Sequence, residues 1–272
     1  MTIKLNMSNE DYHAHSAMSR SGLSLIDQAP KKYWYKYISG QHEDSESDAL
    51  RIGSVFHTMT LEPAEFNKRV LVWSGAPRNT TKGKEEYAAA VEQAGDRILV
   101  KQSEVDNLKG MVSSILSEPA AKKIITGSGK IEPSYFWDDP ITGLPVKCRP
   151  DYYRDDGIVL DLKTCIDASE AAFKKSILNY YYDIQVYMCL AGIEATTGKR
   201  PSAFVFVATE KEPPHCTAFY LADESVIASG EARFNRLMEI YAACKKSNVW
   251  PAYGSLIKNI SMPDWYMKQK GK

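Results

Sequence analysis

Residues 147–164, KCRPDYYRDDGIVLDLKT, decide the fold. They read as a strand, a turn at 154-RDDG-157 and a second strand. Such a hairpin should be apolar, yet Asp151 lies in the first strand and Asp161 and Lys163 in the second. Residues two apart on a strand share a face. Asp161 and Lys163 therefore point one way, and Leu160 and Leu162 point the other and anchor the strand. Asp151, across the turn, can lie beside Asp161. Two adjacent carboxylates repel, and one would take up a proton. A divalent cation removes that conflict, and oxygen ligands at this density suit Mg2+ or Mn2+. An ammonium two residues beyond such an acid can position or deprotonate an attacking water, or stabilise charge on a phosphorane-like transition state. The spacing P-D-x9-D-x-K thus points to metal-dependent phosphodiester hydrolysis. A buried Asp–Lys ion pair beside an ordinary strand-end Asp is the alternative.

Outward from this hairpin, residues 131–137, 144–153 and 158–163 are expected to be strands, with 138-DDPITG-143 as a further turn. Helices are expected over about 168–178 and 181–195, then strands at 203–209 and 216–222, then a long helix over about 223–245. Before the hairpin the pattern is helical. Ser19 or Ser21 can cap a helix that carries Leu23, Leu25 and Ile26 and is punctuated by Pro30. The segment 49-ALRIGSVFHTMTLEP-63 makes a mostly buried helix with His57 inside it. Leu108, Met111, Val112, Ile115 and Leu116 recur at helical spacing. The fold class is therefore α/β, a mixed sheet flanked by helices with a helix-rich N-terminal part.

Composition sets the bounds. Of 272 residues, 44% are hydrophobic and 25% charged, enough for a sizeable core. Lys plus Arg equals Asp plus Glu at 34 each, so there is no global nucleic-acid signature, which leaves a local basic groove open. Five scattered cysteines without a CxxC pair fit a reduced, cytoplasmic setting and argue against a zinc or iron–sulfur site. The first residues lack the apolar region of a signal peptide, and no apolar run approaches membrane-spanning length.

Two other stretches carry chemistry. In 31-KKYWYKY-37, rings interleaved with lysines could stack on bases, or could bury the rings of an amphipathic helix. The basic loop 74-SGAPRNTTKGK-84 is expected to be mobile. Arg149 can contact a phosphate or pair with Asp155 or Asp156. His13 and His15 are expected to be solvated.

Pro150-Asp151 … Asp161-Leu162-Lys163 resembles the signature of the PD-(D/E)xK nucleases, and three strands followed by a helix is similar to that superfamily's restriction-endonuclease-like core. Four stretches narrow the resemblance: MSNEDYHAHSAMSRSGLSLIDQAPKKYWY, GSVFHTMTLEP, CRPDYYRDDGIVLDLKT and YYYDIQVYMCLAG. Their order is similar to that of RecE-type (exodeoxyribonuclease VIII-like) exonucleases of phages and prophages, over roughly residues 8–265.

The resemblance implies one nuclease domain over 1–272: a helical part at 1–129, the core at 130–245 and a tail at 246–272. It implies that Asp151, Asp161, the Leu162 carbonyl and His57 hold Mg2+, with Lys163 and Gln185 catalytic. The third acid stays open between Glu132 and Glu85 or Glu86. The family pattern has a tyrosine four residues after the glutamine. Here that position is Cys189, while Tyr187 lies two after, and Tyr181 and Tyr182 lie just before. Arg149 and Tyr187 are the candidate DNA contacts. The implied activity is 5′-to-3′ digestion of one strand at duplex DNA ends in recombination. A ring-shaped homo-oligomer, a RecT-type single-strand annealing partner, no membrane, and the cytoplasm of a bacterial host follow from it. A related endonuclease, a non-catalytic DNA-end-binding scaffold and a structural α/β protein are the rivals.

Overall fold

The catalytic-type hairpin sits in a computed structural model that describes residues 1–42, 47–76, 79–254 and 256–262. The chain opens with β1 (Thr2–Lys4), α1 (Asn9–Ala14), α2 (Arg20–Gln28), α3 (Pro30–Tyr37) and α4 (Asp48–Leu61). There follow α5 (Phe66–Arg69), β2 (Val70–Trp73), α6 (Thr81–Ala94), β3 (Ile98–Lys101), α7 (Gln102–Ser117) and α8 (Pro119–Ile125). The central strands are β4 (Gly129–Ile131), β5 (Ser134–Asp138), β6 (Pro145–Cys148), β7 (Tyr152–Arg154) and β8 (Ile158–Cys165). The chain continues through α9 (Glu170–Asn179), α10 (Tyr182–Thr197), β9 (Ala203–Glu210), β10 (Thr217–Leu221) and α11 (Glu224–Ser247).

The main sheet has the order β10-β9-β8-β7-β4, with β8 and β9 parallel and the other pairs antiparallel. The parallel pair needs a crossover, which α9 and α10 provide. A second sheet, β1-β5-β6, is antiparallel, and β2 pairs with β3 in parallel. That β2–β3 pair and β1 were not foreseen from the sequence.

The expected strands 131–137 and 144–153 are each two strands. Both break at a proline, Pro133 and Pro150, which cannot donate to a ladder. At the first break Glu132 takes a positive φ of 46°, and its N–H donates to the Asp151 carbonyl at 2.9 Å. The hairpin is thereby bent, so β5 and β6 join one sheet while β4 and β7 join the other. Asp151 sits in the bend, not in a strand.

Each face of β8 has its own core. Leu160 and Leu162 pack with Val207, Val55, Phe56, Leu108 and Met111, under α4 and α7. On the other face Val159, Phe204 and Phe206 pack with Ile184, Leu190, Phe234 and Leu237 from α10 and α11. The period-two alternation of the strand therefore delivers Asp161 and Lys163 to the α10 side.

Caps follow the sequence signals. Ser19 accepts from the Gly22 N–H at 3.2 Å, and Asp223 from Ser225 and Val226. Thr80 caps α6, so the basic loop ends there, and its residues 77–78 lie outside the described residues. In 31–37, Tyr33 is buried against Tyr241 and Trp250, while Tyr35 and Tyr37 are exposed. Residues 43–46 of the acidic loop and 263–272 of the tail also lie outside the described residues. Among the described residues no helix is long and apolar enough to cross a membrane.

α10 and α11 cross where Gly230 has no side chain. A Cβ there would run into the Asp183 carbonyl. Gly230→Ala is expected to wedge the helices apart and cost about 1–3 kcal/mol, read as a lower urea midpoint in equilibrium unfolding.

Candidate active site

Asp161 is fully buried in β8. Its Oδ2 accepts a hydrogen bond from the Gln185 amide of α10. The Lys163 ammonium lies against Oδ1 as an ion pair and donates to Gln185 Oε1 at 3.1 Å. Gln185 thus bridges the carboxylate and the ammonium. That ammonium is the partner of Oδ1, which accepts no other hydrogen bond among the described residues. Lys163 also lies 4.5 Å from the centroid of the Tyr182 ring. Burial works against the lysine's charge, but Asp161 and Asp151 outweigh it and hold the ammonium above the usual lysine range.

Asp151 reaches the same place from the bend. Its Oδ2 accepts from the Leu162 N–H at 2.6 Å, and its Oδ1 lies 3.6 Å from His57 Nδ1. His57, on α4, places Nε2 3.3 Å from the Leu162 carbonyl. Burial pushes the Asp151 carboxyl up to about 6; His57 and Lys163 oppose this and Asp161 adds to it. The structure therefore brings together His57, Asp151, Asp161, Leu162, Lys163 and Gln185.

Among the described residues no three His, Cys, Asp or Glu side chains form a ready-made metal cage. The donor set nevertheless fits a hard divalent cation. It offers two neighbouring carboxylates, a backbone carbonyl and an imidazole.

Other candidates are placed elsewhere. Glu132 lies at the hairpin break, where its carboxylate acts on Arg69 and Arg149. Glu85 is exposed on α6, and Glu86 accepts from the Ala76 N–H at 2.8 Å. Tyr187 does not share the face of α10 that carries Gln185. Two residues from Gln185 is about 200° around a helix, and its ring packs on Phe234 of α11 at 5.2 Å. Arg149 does not pair with Asp155 or Asp156; Arg154 takes Asp156 at 2.6 Å. Arg149 instead donates to Ser134 at 2.8 Å, Asn9 at 2.6 Å and the Met7 carbonyl at 3.0 Å, tying the N-terminal segment to β5. Arg149 also lines a cavity beside Gln185. Cys189, at the family's tyrosine position, is buried and hydrogen-bonded to Cys148; that bond and burial raise its thiol well above the usual range.

A feature not foreseen from the sequence adjoins Gln185. A cavity of about 150 Å³ is lined by Tyr12, Ser19, Arg20, Lys147 and Cys189 among others. Lys147 is buried in β6, and its ammonium is held by the carbonyls of Tyr12 and, at 2.7 Å, His15. Burial, with Arg149 nearby, pushes it down to about 8. Its hydrogen-bond acceptors are neutral carbonyls, so the cavity is cationic and suits a phosphate group. The one sequence signal was a lysine inside the apolar alternation of 145-PVKC-148.

A mixed sheet with a bent acidic hairpin, D-x-K on the next strand and a following helix carrying glutamine is the core of the PD-(D/E)xK nuclease superfamily. The chain belongs to the family described as "PDDEXK-like domain of unknown function (DUF3799)", whose sequence model matches residues 19–261. Among solved structures it is similar to a protein from Eubacterium rectale named "Putative exonuclease". The TM-score is 0.60 and the identity 15%, over 95% of this chain and 97% of that one. SSO0001 matches over 80% of this chain and 85% of its own at 15% identity, but its TM-score of 0.30 carries no argument. No curated protein matches.

The raised Asp151 carboxyl has a consequence for the metal-free chain. The folded state keeps a proton that the unfolded chain releases near the usual aspartate value of about 4. This contribution to stability is present below that value and is lost as pH rises through about 6. In chelator, the urea midpoint is expected to fall across this window, and to fall less in Asp151→Asn.

Proposed function

We propose that the chain is a divalent-metal-dependent deoxyribonuclease of the RecE type, digesting one strand of duplex DNA from its ends in the 5′-to-3′ direction during phage-type recombination. The observation that carries the hydrolytic part is the convergence of Asp151, Asp161, Lys163 and Gln185 at one point on the sheet.

Asp151, Asp161, the Leu162 carbonyl and His57 are the groups to hold Mg2+, with Mn2+ as a substitute. When bound, such an ion supplies Lewis-acid activation for water attack on the phosphodiester. The chain's own groups do the rest. Lys163 is held as an ammonium, so its role is to stabilise charge on the phosphoryl oxygens and to orient the water, not to take its proton. Gln185 fixes Lys163 and Asp161 relative to each other. Water attacks phosphorus and the ester P–O bond breaks; the proton the water gives up passes to solvent and the leaving oxygen takes one from solvent, so no covalent intermediate is needed.

The cationic cavity beside Gln185 supports the end-directed reading, because it offers a seat for a phosphate next to the scissile one. The polarity, a ring-shaped homo-oligomer, a RecT-type annealing partner and a place in the cytoplasm of a phage- or prophage-bearing host rest on the sequence resemblance alone.

The test is digestion of linear duplex labelled at the 5′ or the 3′ end, with closed circular DNA alongside, with and without Mg2+. Linear DNA alone should be lost, only with Mg2+, and the 5′ label should be released early. Lys163→Ala is expected to lower the rate about 10²- to 10³-fold while keeping DNA binding in Ca2+. Cutting of the circle would instead identify an endonuclease, and no cutting with retained binding a non-catalytic scaffold.

A further inference from the structure

Three consecutive tyrosines, 180-YYY-182, join α9 to α10, and each has a different fate. Tyr181 stands in the left-handed region, with φ 60° and ψ 36°, which a residue with a Cβ adopts only at a cost. It is held there from the far side. Its hydroxyl bonds Asp27 of α2, and the Arg233 guanidinium of α11 lies 4.4 Å from its ring centroid. Arg233 is itself fixed by Asp183 at 3.0 Å.

The left-handed turn sends the flanking rings the other way. Tyr182 covers the Lys163 ammonium at 4.5 Å. Tyr180 lies 5.6 Å from the Tyr182 ring, tilted 31° to it. Tyr182 is half-buried, whereas Tyr180 is 58% exposed. An Arg20 N–H donates to the Tyr180 carbonyl at 2.8 Å, and Arg20 also lines the cationic cavity. An exposed aromatic face therefore stands two contacts from the catalytic-type lysine, beside cations suited to phosphate, on a turn held by strained backbone. Strain of this kind persists where surrounding structure over-determines it and clusters at functional sites. The packing of Tyr181 alone explains neither the exposed ring nor its direction.

We propose that Tyr180 is a substrate-positioning residue whose ring stacks on a nucleobase flanking the phosphate held at Lys163. This rests on the nuclease reading and adds to it the residue that sets the nucleotide's place. Stacking suits an enzyme that must accept any sequence, because every base has a π-face. Arg20, held by the same turn, places its charge where the backbone of that nucleotide would pass.

The test uses the full chain and duplex DNA with 2-aminopurine at each of the last three positions of either strand, in Ca2+ to suppress turnover. One of these positions should be quenched on binding by wild type and by Tyr180→Trp, and released in Tyr180→Ala. Tyr180→Ala should weaken DNA binding by roughly tenfold and raise KM by a similar factor in Mg2+, with kcat and the thermal midpoint nearly unchanged. Equal affinity and quenching in Tyr180→Ala would overturn this inference alone. A fall in kcat with KM and quenching intact would also overturn it, since Tyr180 would then only support Tyr182. Failure of wild type to bind any DNA would overturn the nuclease reading and this inference together.

Discussion

A carboxylate with no access to water organises this molecule. Asp161 is in the centre of the main sheet, and an isolated charge in that position would be prohibitively costly. It is sustained by two groups only, the Lys163 ammonium from its own strand and the Gln185 amide from α10. Charge in β8 is therefore tied to the seating of α10. That seating depends in turn on α11, through the close crossing at Gly230 and the Asp183–Arg233 ion pair. Replacing such a network by apolar side chains is often neutral or stabilising. Its presence is thus a poor argument from stability and a better one from function.

The sequence made the chemistry legible where a strict period applies. On β8 the period is two, so Leu160 and Leu162 had to anchor one core while Asp161 and Lys163 shared the other face, as they do. Asp151 was legible as a neighbour of Asp161 but not in its setting. The apolar pattern of residues 144–153 suggested one strand. Pro133 and Pro150 break the ladder, and the resulting bend aims Asp151 at the Leu162 N–H. Local chemistry outweighed the pattern there, and both prolines were visible signals.

Longer-range partners were not legible. Arg149 is drawn to the N-terminal segment, about 140 residues away in sequence, and no spacing encodes that contact. Tyr187 lies off the Gln185 face for a simpler reason: on a helix, a position two residues away faces nearly the opposite way. Tyr182, three residues before Gln185, shares its face and meets Lys163. Helical phase alone would have preferred it. The Cys189 position is likewise explained by burial. A thiol fits against Cys148 between α10 and β6, in space where a tyrosine ring would need the cationic cavity to accommodate it.

The two faces of the sheet also divide the labour within the site. Asp161, Lys163 and Gln185 belong to the α10 side. His57 comes from α4, on the side where Leu160 and Leu162 are buried, and meets the Leu162 carbonyl and Asp151. The groups suited to holding a cation are therefore drawn from both faces, whereas those suited to stabilising the transition state lie on one. Such a division leaves the α10 face free to adapt to substrate. That face is where the Tyr182 ring, the exposed Tyr180 ring and the Arg20 cavity lie next to Lys163.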